Sequence, residues 1–115
     1  MESILHTIKK LLGLDPSYPA FDVDVIIGIN SAFSTLHQLG VGPKEGFAIT
    51  GSTETWDDYL DDYGVLENVK QYIYLKTRYV FDPPTGGVLT AMDAVIKELE
   101  WRINVAVDPG EEQDE

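Results

Sequence analysis

The chain has 115 residues, a net charge of −12, 43% hydrophobic residues and no cysteine. This length fits one domain with a modest core, and the composition is that of a globular protein. The absence of cysteine excludes disulfides, thiolate metal sites and cysteine nucleophiles, and it fits a reducing cytoplasm. No apolar run reaches the roughly 18 residues of a membrane span. The N-terminus lacks the basic leader and cleavage site of a signal peptide, so we expect no contact with a membrane.

The first predicted helix covers about Ser3–Leu12, and its first residue, a serine, is a typical N-cap. Lys9 and Lys10 lie in its last turn, where positive charge suits the helix dipole. Gly13 is a typical C-terminal stop. The two prolines of Asp15–Pro19 then predict a turn before the next element.

The stretch from Phe21 to Leu39 fits two patterns. Its beginning alternates like a strand, but the apolar repeat continues at helical spacing over about twice the usual length of a strand. We therefore predict a helix over about Phe21–Leu39, ended by Gly40. Gly28 inside this helix costs about 1 kcal/mol relative to alanine and allows a close crossing with another helix.

Gly40–Thr53 is the largest non-helical region and is rich in glycine. The pattern predicts a glycine-rich loop or a short β-hairpin at about residues 40–53, with Phe47–Thr50 as one short strand. A loop of this kind on a helical body is either pinned to the surface or serves as a contact arm.

Thr55 is predicted to cap a short helix at about Trp56–Leu60, with Asp58 three residues later as in a capping box. An acidic cluster surrounds this helix: Glu54, Asp57, Asp58, Asp61 and Asp62. Closely spaced carboxylates suggest a cation site, but they lack the ligand order of a calcium loop. We prefer a capped, solvated helix start.

Val65–Phe81 is the predicted central helix. One broad apolar face comprises Val65, Leu66, Val69, Ile73 and Val80. Tyr74 and Phe81 lie nearly opposite this face. A helix that is apolar on more than one side needs neighbours on more than one side. This helix therefore lies in the middle of a bundle, or it shares its second face with another subunit.

The last predicted helix covers about Val88–Val105, with Trp101 almost opposite its apolar stripe. Residues 1–107 are predicted to form a single helical domain, and residues 108–115 a flexible acidic tail. The predicted fold is mainly all-α, a small bundle of four main helices plus one short helix.

Candidates for contact with another subunit or a partner are Tyr74, Phe81, Trp101, Phe47, Ile49 and Lys76. Large aromatic side chains outside the apolar stripes hint at a second apolar surface. Lys76 lies within the stripe of the central helix, either snorkelling at the core edge or paired with an acid of a neighbouring subunit; we prefer the snorkelling side chain.

Catalysis is not expected. His6 and His37 have no partner at metal-ligand spacing, and no nucleophile elbow or phosphate-binding loop is present in the sequence. We therefore predict no catalytic residue, no metal and no cofactor.

Five segments in order resemble small head–tail connector proteins of long-tailed phages and prophages of low-GC Gram-positive bacteria. They are LDPSYPAFDVDVIIGIN, QLGVGPKEGFAI, TWDDYL, NVKQYIYLKTRYVFDPP and AMDAVIKELEWRIN. The likeness runs from the first helix to about Asn104, and its most specific parts are the central helix with FDPP and the ELEWRIN element.

The resemblance implies a structural adaptor made in the bacterial cytoplasm and carried in the virion at the head–tail interface. Such proteins form a closed ring of roughly twelve subunits below the portal protein. The ring extends the DNA channel and offers a docking surface to the next connector, stopper or tail protein. DNA would pass without specific binding along an acidic lumen, for which the acidic cluster or the loop before it is the candidate. The acidic tail would order on a partner.

Two rival interpretations stay open. One is a stand-alone acidic regulator, either a DNA mimic or an antitoxin-like binding module, since half of the 20 acidic residues lie in the cluster and the tail. The other is a small enzyme, which a bound metal or cofactor would indicate.

Overall fold

The computed structural model describes residues 2–60 and 63–107. Within these ranges the chain forms five α-helices and one short 3₁₀ turn, with no strand. They are α1 (Ile4–Leu11), the 3₁₀ turn (Pro19–Phe21), α2 (Asp22–Gln38), α3 (Trp56–Tyr59), α4 (Tyr63–Phe81) and α5 (Gly86–Val107). The predicted all-α bundle of four main helices and one short helix is confirmed. Asp61, Asp62 and the tail 108–115 lie outside the described residues.

The helices form a flat body that measures 49 × 36 × 20 Å, so it is about two helices thick. As predicted, α4 is the central helix and packs against α1, α2 and α5. Its buried face comprises Val65, Leu66, Val69, Tyr72, Ile73 and Thr77. The Tyr72 hydroxyl donates a hydrogen bond of 2.7 Å to Glu100 Oε2. Because α2 and α5 pack on α4 more than on each other, they lie on different flanks of the central helix.

Val80 departs from the predicted pattern of α4. Its position in the repeat assigns it to the core, but its side chain is 72% exposed. Val80 instead lines an open groove beside α2, together with Ile27 and Phe81.

The stretch that fitted both a strand and a helix is helical, as predicted. Its buried residues Val25, Ile29, Ala32, Phe33 and Leu36 follow the helical repeat. Gly28 makes the close crossing: a Cβ there would lie 2.9 Å from Thr77 Cγ2 and 3.3 Å from Thr77 Cα. A side chain at this position would therefore push α4 away from α2.

Lys9 and Lys10 both lie in the last turn of α1, but their environments in the structure differ. The Lys10 side chain is exposed and pairs with Glu2. Lys9 is only 1% exposed, and its Nζ donates to the carbonyl oxygens of Pro16 (3.0 Å) and Tyr18 (2.7 Å) and to Asp22 Oδ1 (2.6 Å). One ammonium group therefore holds the Asp15–Pro19 turn between α1 and the first residue of α2.

The region between α2 and α3 is a loop and not a hairpin. Among the described residues, its only β-type pairing is an isolated bridge between Ser3 and Thr55. Asn30 on α2 pins the loop, since its side-chain amide accepts from the Ile49 N–H (2.8 Å) and donates to the Ile49 carbonyl (3.0 Å). Of the two predicted alternatives, the structure has the pinned loop.

Candidate interaction surfaces

The structure divides the six sequence-predicted contact residues by their exposure. Trp101 is the most accessible, at 68%. The buried residues of α5 are Met92, Ile96, Leu99 and Ile103, and Trp101 lies almost opposite them on the helix. Its indole is therefore free of the domain's own core.

Tyr74 and Phe81 are half-buried, and part of each side chain packs against the core of its own domain. The Phe81 ring contacts the Phe21 ring edge to face, with 5.6 Å between the ring centroids. The Tyr74 hydroxyl accepts a hydrogen bond of 3.4 Å from Arg78 Nη1. Each ring keeps some exposed surface for a partner.

Phe47 and Ile49 lie in the pinned loop. Ile49 is only 2% exposed, so in this conformation its side chain has no surface to offer a neighbouring subunit. The Phe47 ring is half-buried against Phe33 and Tyr59, with 5.1 Å between centroids in each pair. Phe47 therefore takes part in the packing of its own domain, and only its exposed part is available to a partner.

Lys76 is half-buried at the edge of the core. Its Nζ lies 5.9 Å from the centroid of the Tyr72 ring, close enough for an attraction between the cation and the π face. Burial raises the pKa of the Tyr72 phenol, and the neighbouring Glu100 carboxylate raises it further. Tyr72 therefore stays neutral, and its hydroxyl donates a hydrogen bond to Glu100.

The described members of the acidic cluster differ in exposure. The Asp57 and Asp58 side chains are exposed on α3, and Asp58 Oδ2 caps the helix by accepting from the Thr55 N–H at 2.9 Å. Glu54 is half-buried, and its Oε2 accepts from the N–H and hydroxyl of Thr50, both at 2.9 Å. Asp61 and Asp62 lie outside the described residues.

Two opposing effects act on the pKa of Glu54. Burial raises it, but the hydrogen bonds, led by those from Thr50, outweigh burial and hold the pKa below its ordinary value. The Glu54 carbonyl also accepts from the Ile4 N–H at 3.0 Å. Glu54 therefore ties the loop to α1.

An open groove between α2 and the end of α4 was not predicted from the sequence. It encloses about 550 Å³, and its walls include Ile27 and Val80, which are 62% and 72% exposed. One signal for this groove was present in the sequence. The helical repeat assigns Val80 to the core, but Val80 lies near the end of the central helix, and the sequence does not show which element would cover it there.

The described residues include neither a cluster of metal ligands nor a helix that could span a membrane. Within residues 2–60 and 63–107, no three His, Cys, Asp or Glu side chains come together to hold a metal ion. His37 Nε2 lies 2.8 Å from the Lys44 carbonyl, to which it donates. Among the described helices, none is both long and apolar enough to span a bilayer.

These features define a class: a small helical protein with exposed apolar surfaces on different flanks. The chain belongs to the phage connector protein family, whose family model matches residues 4–110. No curated protein and no solved structure matches the chain. The protein is thus a structural, non-enzymatic component of phage particles whose partners are other head and tail proteins.

Proposed function

We propose that the protein is a head–tail connector that forms a closed ring below the portal protein. The ring extends the DNA channel and presents a docking surface to the next connector, stopper or tail protein. The observation that carries this proposal is the family match, which extends over nearly the whole chain. It agrees with the resemblance seen in the sequence from the first helix to about Asn104.

A ring needs two unlike lateral surfaces on each subunit, because head-to-tail contacts close only when one surface fits the other. The flanks of α4 supply them. The α2 flank exposes Val23 and Ile27, at 70% and 62%, and the α5 flank exposes Trp101 at 68%. We assign Trp101 the main lateral contact, with the exposed parts of Tyr74 and Phe81 as additional contacts.

The lumen is assigned to the acidic cluster. Asp57 and Asp58 are exposed on α3, and a wall of negative charge repels the DNA backbone and keeps it from binding. Glu54 is better assigned to the loop, since its carboxylate is engaged by Thr50. The acidic tail 108–115 is proposed to contact a partner in the assembled particle.

Mass photometry with the purified portal protein of the same phage or prophage tests the proposal. Ring-sized complexes on the portal are expected, with a subunit count that matches the symmetry of the portal. The protein without portal is expected to be monomeric. Failure to bind the portal at micromolar concentrations would contradict the proposal. A tight complex with a small basic protein would instead favour an acidic regulator, which the net charge of −12 suits.

A further inference from the structure

A shallow depression lies where α3 meets the start of the loop between α2 and α3. It encloses about 350 Å³, which is at the lower end of the roughly 300–1,000 Å³ of sites that bind small groups. We name it the α3 depression. Its walls are formed by Gly42, Pro43, Asp57, Asp58, Tyr59 and Leu60.

Tyr59 supplies a buried polar group to the α3 depression. This residue is only 4% exposed, and its buried hydroxyl oxygen has no hydrogen-bond partner among the described residues. The ring edge next to the hydroxyl faces Gly42: a Cβ there would lie 2.6 Å from Tyr59 Cε1 and 3.2 Å from Tyr59 Cζ. Because Gly42 lines the depression as well, the hydroxyl lies at its wall.

The hydroxyl of Tyr59 cannot easily find a partner by moving. The ring packs against Phe33 and Phe47, with 4.5 Å and 5.1 Å between centroids, so turning it towards solvent would break these contacts. Burial raises the pKa of the Tyr59 phenol, so the group stays a neutral hydroxyl that can both donate and accept. Native proteins leave few buried polar groups unpaired. A group that enters the depression from outside would supply the missing partner.

The charge of the depression selects the kind of ligand. Asp57 and Asp58 are exposed there, and only one oxygen of Asp58, Oδ2, caps α3. Lys44, the nearest basic residue along the chain, is exposed and does not line the depression. Two carboxylates repel an anion and attract a cation. The planar guanidinium of arginine fits best, because its fork of N–H donors can reach a carboxylate and a neutral oxygen at once.

We propose that the α3 depression binds the arginine side chain of a partner protein, whose guanidinium donates to the Asp58 carboxylate and to the Tyr59 hydroxyl. The identity of the partner rests on the proposed function. Because Asp57 and Asp58 are assigned to the lumen, the arginine belongs to a protein segment that lies along the channel wall. Its binding there neutralises part of the negative charge of that wall.

Titration of the purified protein with short peptides, followed by NMR, tests the site. The probe is acetyl-Ala-Arg-Ala-amide. In the control peptides, lysine keeps the charge without the planar fork, and citrulline keeps nearly the same shape without the charge. We expect the arginine peptide at millimolar concentration to shift the amide signals of Gly42 and Leu60 and the ring signals of Tyr59. The lysine peptide should shift them less, and the citrulline peptide should leave them unchanged.

Two results of this titration would overturn the proposal. One is that the arginine peptide shifts none of these signals, or shifts them no more than the citrulline peptide does. The other is that Mg²⁺ alone produces the same shifts, which would show a general attraction for cations.

Tyr59→Phe removes the hydroxyl and keeps the ring. We expect this variant to bind the arginine peptide about two- to tenfold more weakly. The midpoint of its urea unfolding should stay the same or rise, because the hydroxyl has no partner to lose. A lower midpoint would reveal a partner within the domain and overturn the proposal. Tyr18→Phe, at a residue that is 55% exposed, is the control and should bind as the wild type does.

Asp58→Asn keeps an oxygen that can cap α3 but removes the charge. We expect it to weaken binding of the arginine peptide by at least about threefold. Asp24→Asn removes the same charge in the first turn of α2, at the far end of a helix about 25 Å long, and should change binding by less than about twofold. Equal losses in the two variants would show a response to net charge alone and contradict the site.

The outcomes distinguish this inference from the proposed function, because the peptide titration needs no portal. Absence of arginine binding from a protein that still forms rings on the portal would overturn the site and leave the connector role intact. Arginine binding by a protein that forms no ring would overturn the proposed function and the assignment of the partner to the channel, and leave the arginine site.

Discussion

The two tryptophans of this chain lie in regions that differ in how far their side chains make contacts within the domain. Trp56 is fully buried, and its indole N–H donates to Thr7 Oγ1 at 3.0 Å. Trp101 is 68% exposed on the outer face of α5. The buried Lys9 ammonium and the half-buried Asn30 amide also make hydrogen bonds within the domain. Around Trp101 and the groove, aliphatic side chains face solvent.

This difference separates the part of the chain that determines the shape of the domain from the part that is available to partners. The first region joins α1, the Asp15–Pro19 turn and the pinned loop to the core through long-range hydrogen bonds. The second region consists of helix faces with few such bonds. The comparison predicts that substitutions in the first region reduce stability, whereas those in the second reduce assembly.

The largest contrast in stability is expected between the two tryptophans. Trp56→Ala should lower the free energy of unfolding by about 3–5 kcal/mol, because it leaves a cavity in the core. Trp101→Ala should change it by less than about 0.5 kcal/mol. Urea denaturation followed by circular dichroism measures both. A comparable loss in the two variants would show that the exposed region is part of the core.

The adjacent lysines offer a matched pair for the next effect. Lys9→Ala should cost about 2–4 kcal/mol, somewhat less than the loss of one member of a fully buried pair, because the Asp22 side chain is 30% exposed. Lys10→Ala removes an exposed pair with Glu2 and should cost less than about 1 kcal/mol. Thermal or urea unfolding of the two variants measures the difference. Equal costs would mean that the buried ammonium contributes nothing beyond a surface charge.

Removal of the amide that pins the loop should have a smaller and more local effect. Asn30→Ala is expected to cost about 1–3 kcal/mol, because the Ile49 N–H and carbonyl lose their side-chain partner. Hydrogen exchange should show faster exchange of the Ile49 amide. Ser34→Ala, an exposed change on the same helix, is the control and should leave this amide protected. Unchanged exchange in Asn30→Ala would show that the loop is held by its apolar contacts alone.

The smallest effect is expected for the pH dependence that Glu54 contributes. Its pKa is lowered in the folded protein, so its stabilising contribution is present above the ordinary value of 4.5. The contribution is lost as pH falls through the folded value. Stability should therefore decline less steeply in acid for Glu54→Gln than for the wild type. Glu67→Gln, at an exposed site, should follow the wild-type curve; identical curves for all three proteins would contradict the assignment.

Local signals made the helices predictable from the sequence. The predicted first helix, about Ser3–Leu12, matches α1 closely, and Ser3 Oγ accepts from the His6 N–H at 3.3 Å as an N-cap. The length of the apolar repeat correctly favoured a helix over a strand at α2. The close crossing at Gly28 also followed from sequence, because glycine inside a helix has an intrinsic cost that close packing against another element can offset.

The environments of individual side chains were less predictable, because they depend on residues distant in sequence. Lys9 has the same local context as Lys10, and only the turn that follows it and Asp22 make it a buried residue. The periodicity placed Val80 in the core, but it could not show that the helices beside α4 leave a groove at this position. Phe47 is predicted as a contact residue, and the sequence did not show that its ring also packs on Phe33 within the domain.

The unequal exposure of the two indoles gives the protein an internal optical reporter. Trp56 is shielded from water, so its emission should stay constant when copies assemble. Trp101 faces water in the isolated domain, so a shift of this chain's fluorescence maximum to shorter wavelength, after subtraction of the portal's own emission, would come from this residue. Ring formation can then be followed in real time on the unlabelled protein.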